Sequence, residues 1–137
     1  MHCRFAAAVL LLGAGLAPAA AAEPDPIDRR LDACLGAPEG GTTTGQVICL
    51  TEAYDAWDKQ LNAAYKALMD KLDPPSKTLL RDAQRQWLAY RDADRAFQGG
   101  PWVQDQGTMM RVILNSAAVD RVRARTQALR GYLAVYE

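Results

Sequence analysis

Apolar residues recur every three or four positions along most of this chain. Over residues 47–72, Leu50, Tyr54, Trp57, Leu61, Ala64, Leu68 and Leu72 form one stripe, with Asp55, Asp58, Lys59, Lys66 and Asp70 mostly off it. That spacing predicts an amphipathic helix with one buried face. Asp73-Pro74-Pro75 ends it, because proline lacks an amide donor and restricts the residue before it. Ser76 is the expected N-cap of a second helix over 77–97, with a stripe of Leu80, Ala83, Trp87, Tyr90, Asp94 and Phe97. Gly99-Gly100-Pro101 stops that helix. A third helix, introduced by Gly107 and capped by Thr108, is expected to reach residue 135. Its stripe is Val119, Val122, Thr126, Leu129, Leu133 and Tyr136, and Asn115-Ser116 marks an expected bend or change of register.

The N-terminal part follows different rules. Pro24, Pro26, Pro38 and the run GAPEGGTTTG interrupt regular structure, leaving a short helix over 27–34 followed by a loop. No stretch alternates with period two for long enough to make a strand. The expected fold is all-α: an antiparallel bundle of three long helices with a short N-terminal helix, occupying 23–137 as one domain. Residues 1–22 have the pattern of a secretory signal peptide. Arg4 supplies the positive region, 5–16 the apolar core, and Ala20-Ala21-Ala22 a small-residue cleavage site. The apolar run falls short of the roughly 20 residues of a membrane span. A periplasmic or secreted protein without stable membrane insertion after cleavage is therefore expected. Of the 137 residues, removal of 22 leaves 115, enough for one core.

Cleavage would alter the available chemistry. It removes Arg4, leaving 15 Lys and Arg against 16 Asp and Glu, so no basic excess suggests a nucleic-acid partner. It also removes Cys3 and the only histidine, His2. Cys34 and Cys49 remain, an even pair in an exported chain, and a disulfide is expected between them. Closing that loop is worth on the order of 3 kcal/mol. Two free thiols or half of a metal site are the alternatives, although zinc asks for three or four Cys or His ligands. Without histidine the common nucleophile–base pairs cannot be assembled. Asp92 and Asp94 point to different faces of their helix, and Asp55 and Asp58 are expected on a solvated face, where acids usually serve solubility. Phosphate loops, paired metal motifs and dinucleotide fingerprints do not occur. No enzymatic activity, cofactor or metal is expected.

Two stretches stand out as binding candidates. In AQRQWLAYRDADRAF, Trp87 and Tyr90 are expected in the core. Arg91 and Asp94 either satisfy each other there, with Arg91 alternatively on a neighbouring helix's carbonyls, or form a patch that a partner recognises. In QGGPWVQDQG, Trp102 lies off any helical stripe. It is either an exposed anchor or a cover for one end of the bundle. Gln104 and Gln106 add hydrogen-bonding groups, and Gly99, Gly100 and Gly107 are expected to give the backbone freedom. The candidate partner-binding residues are thus Arg91, Trp102, Gln104 and Gln106.

These motifs carry a resemblance. Cys49 before Asp58, Leu61, Asn62, Tyr65 and Leu68, followed by Ala83, Gln84, Arg85, Trp87, Tyr90, Arg91 and Asp92, resembles the LprI-like lysozyme inhibitor family. The resemblance covers about residues 34–133. It implies an exported helical domain, often with two disulfides. Here Arg95 and Ala117–Ala118 stand where the second bridge would lie, so only Cys34–Cys49 is left. It further implies a protein partner, a lysozyme, whose active-site cleft is occluded without any catalysis by this chain. A structural or accessory envelope module without inhibitory activity is the alternative. The second motif looks like a folding signature, not an inhibitory loop.

Overall fold

A computed structural model describes residues 23–137, and the expected signal segment 1–22 lies outside the described residues. Four α-helices follow in order: α1 (Pro26–Gly36), α2 (Thr43–Lys71), α3 (Pro74–Gln98) and α4 (Met109–Leu133). Short 3-10 turns occupy Pro38–Gly41, Pro101–Val103 and Ala134–Tyr136. The architecture is the all-helical one that the periodicity predicts.

Local chemistry moves several boundaries. Helix α2 starts earlier than its apolar stripe, because Thr42 Oγ1 accepts the Gly45 amide at 3.0 Å and caps it. Helix α3 starts at Pro74, so Ser76 is inside the helix and does not cap it. Asp73 is the cap: its carboxylate accepts the Ser76 amide at 2.8 Å and the Ser76 hydroxyl at 3.0 Å. Pro74 and Pro75 occupy the first turn, where no amide needs a helical acceptor. Thr108 holds the cap position of α4 without a capping side-chain bond. Asn115 and Ser116 do not interrupt α4; Asn115 Nδ2 donates back to the Arg111 carbonyl at 2.8 Å.

The core lies between α2 and α4. Leu50, Trp57, Leu61 and Leu68 of α2 are buried together with Val119, Val122 and Leu129 of α4. Successive helices reverse direction, so α2 and α4 run parallel and α3 is the return segment. Its 25 residues span about 37 Å, enough to carry the chain back along α2. Thr126 Oγ1, a hydroxyl buried in the core, donates to the Val122 carbonyl at 2.8 Å.

Helix α1 is fastened by more than its bridge. Cys34 and Cys49 form a disulfide with Cα atoms 5.8 Å apart. Ile27 and Leu31 enter the core. Asp28 accepts from the indole of Trp57 at 3.2 Å and from Arg123 Nε at 3.0 Å. Arg130 donates to Asp25 and to Gln60, each at 2.9 Å. Arg123 and Arg130 are seven positions apart and share a face of α4, and their guanidinium groups lie 5.9 and 5.4 Å from the Trp57 ring centre. The fully buried tryptophan is thus flanked by cations that also hold Asp28 of α1 and its N-cap Asp25. Between α1 and α2 the backbone approaches closely at Gly45, where a Cβ would overlap the Glu39 carbonyl oxygen.

Candidate functional site: the polar seam of α3 and the loop that follows

The inward face of α3 is displaced from the apolar stripe. Leu80, Gln84, Trp87, Arg91, Asp94 and Gln98 face the other helices, spaced four, three, four, three and four. Tyr90 and Phe97, expected in the core, are 58% and 62% exposed. The physical reason is that partners on α2 and α4 compensate polar groups at the inward positions. Gln84 is buried and its Oε1 accepts Arg125 Nε at 3.0 Å. Asp94 pairs with Arg121 and accepts Gln98 Nε2 at 2.8 Å.

Arg91 and Asp94 therefore do not satisfy each other, and Arg91 does not cap carbonyls. Arg91 instead reaches Asp58 of α2 at 3.6 Å and its neighbour Asp92 at 2.9 Å, with its guanidinium 5.6 Å from the Trp87 ring centre. Its side chain is 21% exposed. Desolvation works against the cation. The Asp92 hydrogen bond and the nearby negative groups outweigh it, and the Arg91 pKa is raised. Asp58, expected on a solvated face, is drawn into this seam. Gln84 and its α4 partner Arg125, like Arg121 opposite Asp94, escaped the apolar pattern because polar residues carry no periodic hydrophobic signal.

The loop after α3 places its candidates unequally. Trp102 folds onto Phe97 with ring centres 5.0 Å apart, and its indole donates to the Phe97 carbonyl at 2.6 Å. The pair covers no core: Trp102 stays 40% exposed. Gln104 and Gln106 are exposed beside it. Only Gly107, at φ 74°, uses the left-handed region; Gly99 and Gly100 do not, contrary to expectation.

Arg91 and this loop meet at a cleft of about 510 Å³ among α2, α3 and the start of α4. Arg91 and Arg95 line it from α3, Tyr54 and Asp55 from α2, and Arg111 and Arg121 from α4. Gly99 and Val103 form its loop edge, whereas Trp102, Gln104 and Gln106 lie outside the lining. Arg95 and Ala118, two positions at which the resemblance replaces a second bridge, both border this space. Among the described residues, no His, Cys, Asp and Glu side chains group so as to hold a metal ion. No helix among them is long and apolar enough to cross a membrane.

A disulfide-tied helical bundle with a polar third helix and an aromatic loop is the class that these features define. Residues 34–129 match the family model described as lysozyme inhibitor LprI, and the chain belongs to that family. A crystal structure of an uncharacterized protein from Burkholderia thailandensis is similar to it, with a TM-score of 0.76 and 30% sequence identity. The likeness covers 82% of this chain and 55% of that one, so this chain spans about half the length of that protein. No curated protein was found to match.

Proposed function

We propose that this protein is an exported cell-envelope binding protein that inhibits a lysozyme by occluding its active-site cleft. Family membership is the observation that carries the proposal. The oxidised Cys34–Cys49 pair supports a location in the periplasm or outside the cell. Occlusion needs a protruding, pre-shaped epitope and no chemistry from the inhibitor. The Phe97–Trp102 stack offers one: two aromatic rings fixed against each other, with the indole already bonded and Gln104 and Gln106 alongside. Stacked, partly exposed aromatics carry much of the binding energy where they become buried. Asp105 opposes a carboxylate-lined cleft, while the exposed Arg111 nearby on α4 favours it.

Titration of the oxidised protein against chicken-type, goose-type and invertebrate-type lysozymes tests this. Saturable loss of activity of at least one class is expected; full activity of all three under excess protein refutes it. One observation favours the accessory-module reading as the second choice. Leu79, Tyr132, Val135 and Tyr136 leave an apolar groove of about 340 Å³ at the far end of the bundle. Such a module would capture a partner without any effect on lysozyme.

A further inference from the structure

We infer that the arginine-lined cleft among α2, α3 and the start of α4 is a binding site for a small organic anion bearing a carboxylate or phosphate group. The inference does not depend on lysozyme inhibition. Charge distribution is the first ground. The whole chain is balanced, at 16 basic and 16 acidic residues, yet the cleft is lined by four arginines and a single acid, Asp55.

Arg91 and Arg121 are paired with carboxylates that do not line the cleft, Asp58 and Asp92 for the first and Asp94 for the second. These pairs fix two guanidinium groups in the wall. Arg95 and Arg111 have no carboxylate within ion-pairing distance among the described residues. Arg95 lies over the Tyr54 ring, 5.9 Å from its centre. Cations gathered without counter-ions repel one another, and an anion between them relieves that repulsion while each guanidinium fork offers paired donors.

Geometry is the second ground. Arg91, Arg95 and Gln98 are spaced four and three on α3, and Arg111, Asn115, Ala118 and Arg121 four, three and three on α4, so each helix presents one polar face to the same space. The small side chain of Ala118 leaves room between them. A volume of about 510 Å³ suits a small organic molecule, with Tyr54 and Leu114 as apolar surfaces for its body. Arg95 and Arg111 hold the acidic head in this arrangement.

The test is calorimetric titration of the oxidised protein with inorganic phosphate and, separately, with succinate, in chloride buffer of matched ionic strength. Saturable one-to-one binding of either anion is expected. Binding of phosphate alone assigns the site to phosphate-bearing ligands, binding of succinate alone to carboxylates, and binding of both to the shared anionic head. Arg95→Gln and Arg111→Gln should each weaken binding on the order of tenfold, since each removes a charged hydrogen-bonding fork. Arg81→Gln, an exposed arginine elsewhere on α3, should leave it unchanged. Arg95 and Arg111 are exposed, and circular dichroism checks that the variants fold. No saturable binding of either anion overturns the inference. So does equal weakening by Arg81→Gln, or binding indifferent to both cleft substitutions.

Discussion

Replacing Cys34 and Cys49 together with alanine separates the bridge from the other attachments of α1. Opening the loop restores unfolded-chain entropy worth about 3 kcal/mol. The remaining attachments are substantial. Ile27 and Leu31 are buried in the core, each worth about 1.5–3 kcal/mol of apolar burial. The Asp25–Arg130 and Asp28–Arg123 pairs are partly open to water and contribute about 1 kcal/mol or less apiece. The remaining burial is at least as large as the loss, so α1 is expected to stay docked at room temperature in a less stable protein. For a domain of this size the melting temperature should fall by about 10–15 °C. Thermal melts followed by tryptophan fluorescence give the shift, and limited proteolysis reports on residues 23–45. A melt within about 3 °C of the parent would refute the assigned weight of the bridge. Cleavage in α1 while the rest of the protein melts unchanged would refute the docking by Ile27, Leu31 and the two arginines.

Arg91→Ala should cost about 1–3 kcal/mol in a urea melt, because the Asp58 pair is only partly buried; unchanged stability alongside lost partner binding would make Arg91 a contact residue. Trp102→Ala should alter stability by no more than about 1.5 kcal/mol, the worth of one aromatic stack, yet cost about 2 kcal/mol or more in lysozyme binding. A large loss of stability would contradict the exposed position of that ring. Gly45→Ala should destabilise by about 1–3 kcal/mol through overlap with the Glu39 carbonyl, and a neutral melt would show that this junction relaxes freely. Acid should weaken both helix caps. Burial works against the Asp25 carboxylate, but the Ile27 amide and Arg130 hold its pKa below the usual 3.8. The Ser76 amide and hydroxyl do the same for Asp73. Both contributions are complete above the unfolded value and vanish as pH falls through the lowered ones. Stability measured from pH 6 down to 2 should therefore drop at the acid end, less steeply in Asp25→Asn; parallel curves would remove that role.

Much of the fold was legible because α2 and α4 as far as Leu129 bury the apolar stripes that the three- and four-residue spacing marks, whereas Tyr136, at the end of the second stripe, lies beyond α4 and is exposed. Helix α3 was placed correctly along the chain but turned. Ala83, Tyr90 and Phe97 mimic a buried stripe, whereas the true seam runs through Gln84, Arg91, Asp94 and Gln98. Hydrophobic periodicity cannot see a face whose burial is offset by hydrogen bonds and ion pairs, and those partners sit on other helices far along the chain. Arg123 and Arg130 were hidden for the same reason, since they meet Asp28 of α1 and its cap Asp25, each about a hundred residues away. Glycine and proline marked the loop correctly. The stacking of Trp102 on Phe97 needed three-dimensional knowledge that both rings emerge at the same end. The cleft is the clearest case of invisibility, because a balanced total charge concealed four arginines that come from two separate helices.

Occlusion of the lysozyme cleft is tested most directly by competition. A chito-oligosaccharide that fills the lysozyme cleft is added at increasing concentration while binding of this protein to the same lysozyme is measured. Occlusion predicts an apparent Kd that rises in proportion to the fraction of clefts filled by the saccharide. An apparent Kd indifferent to the saccharide would place any contact away from the active site and contradict the account.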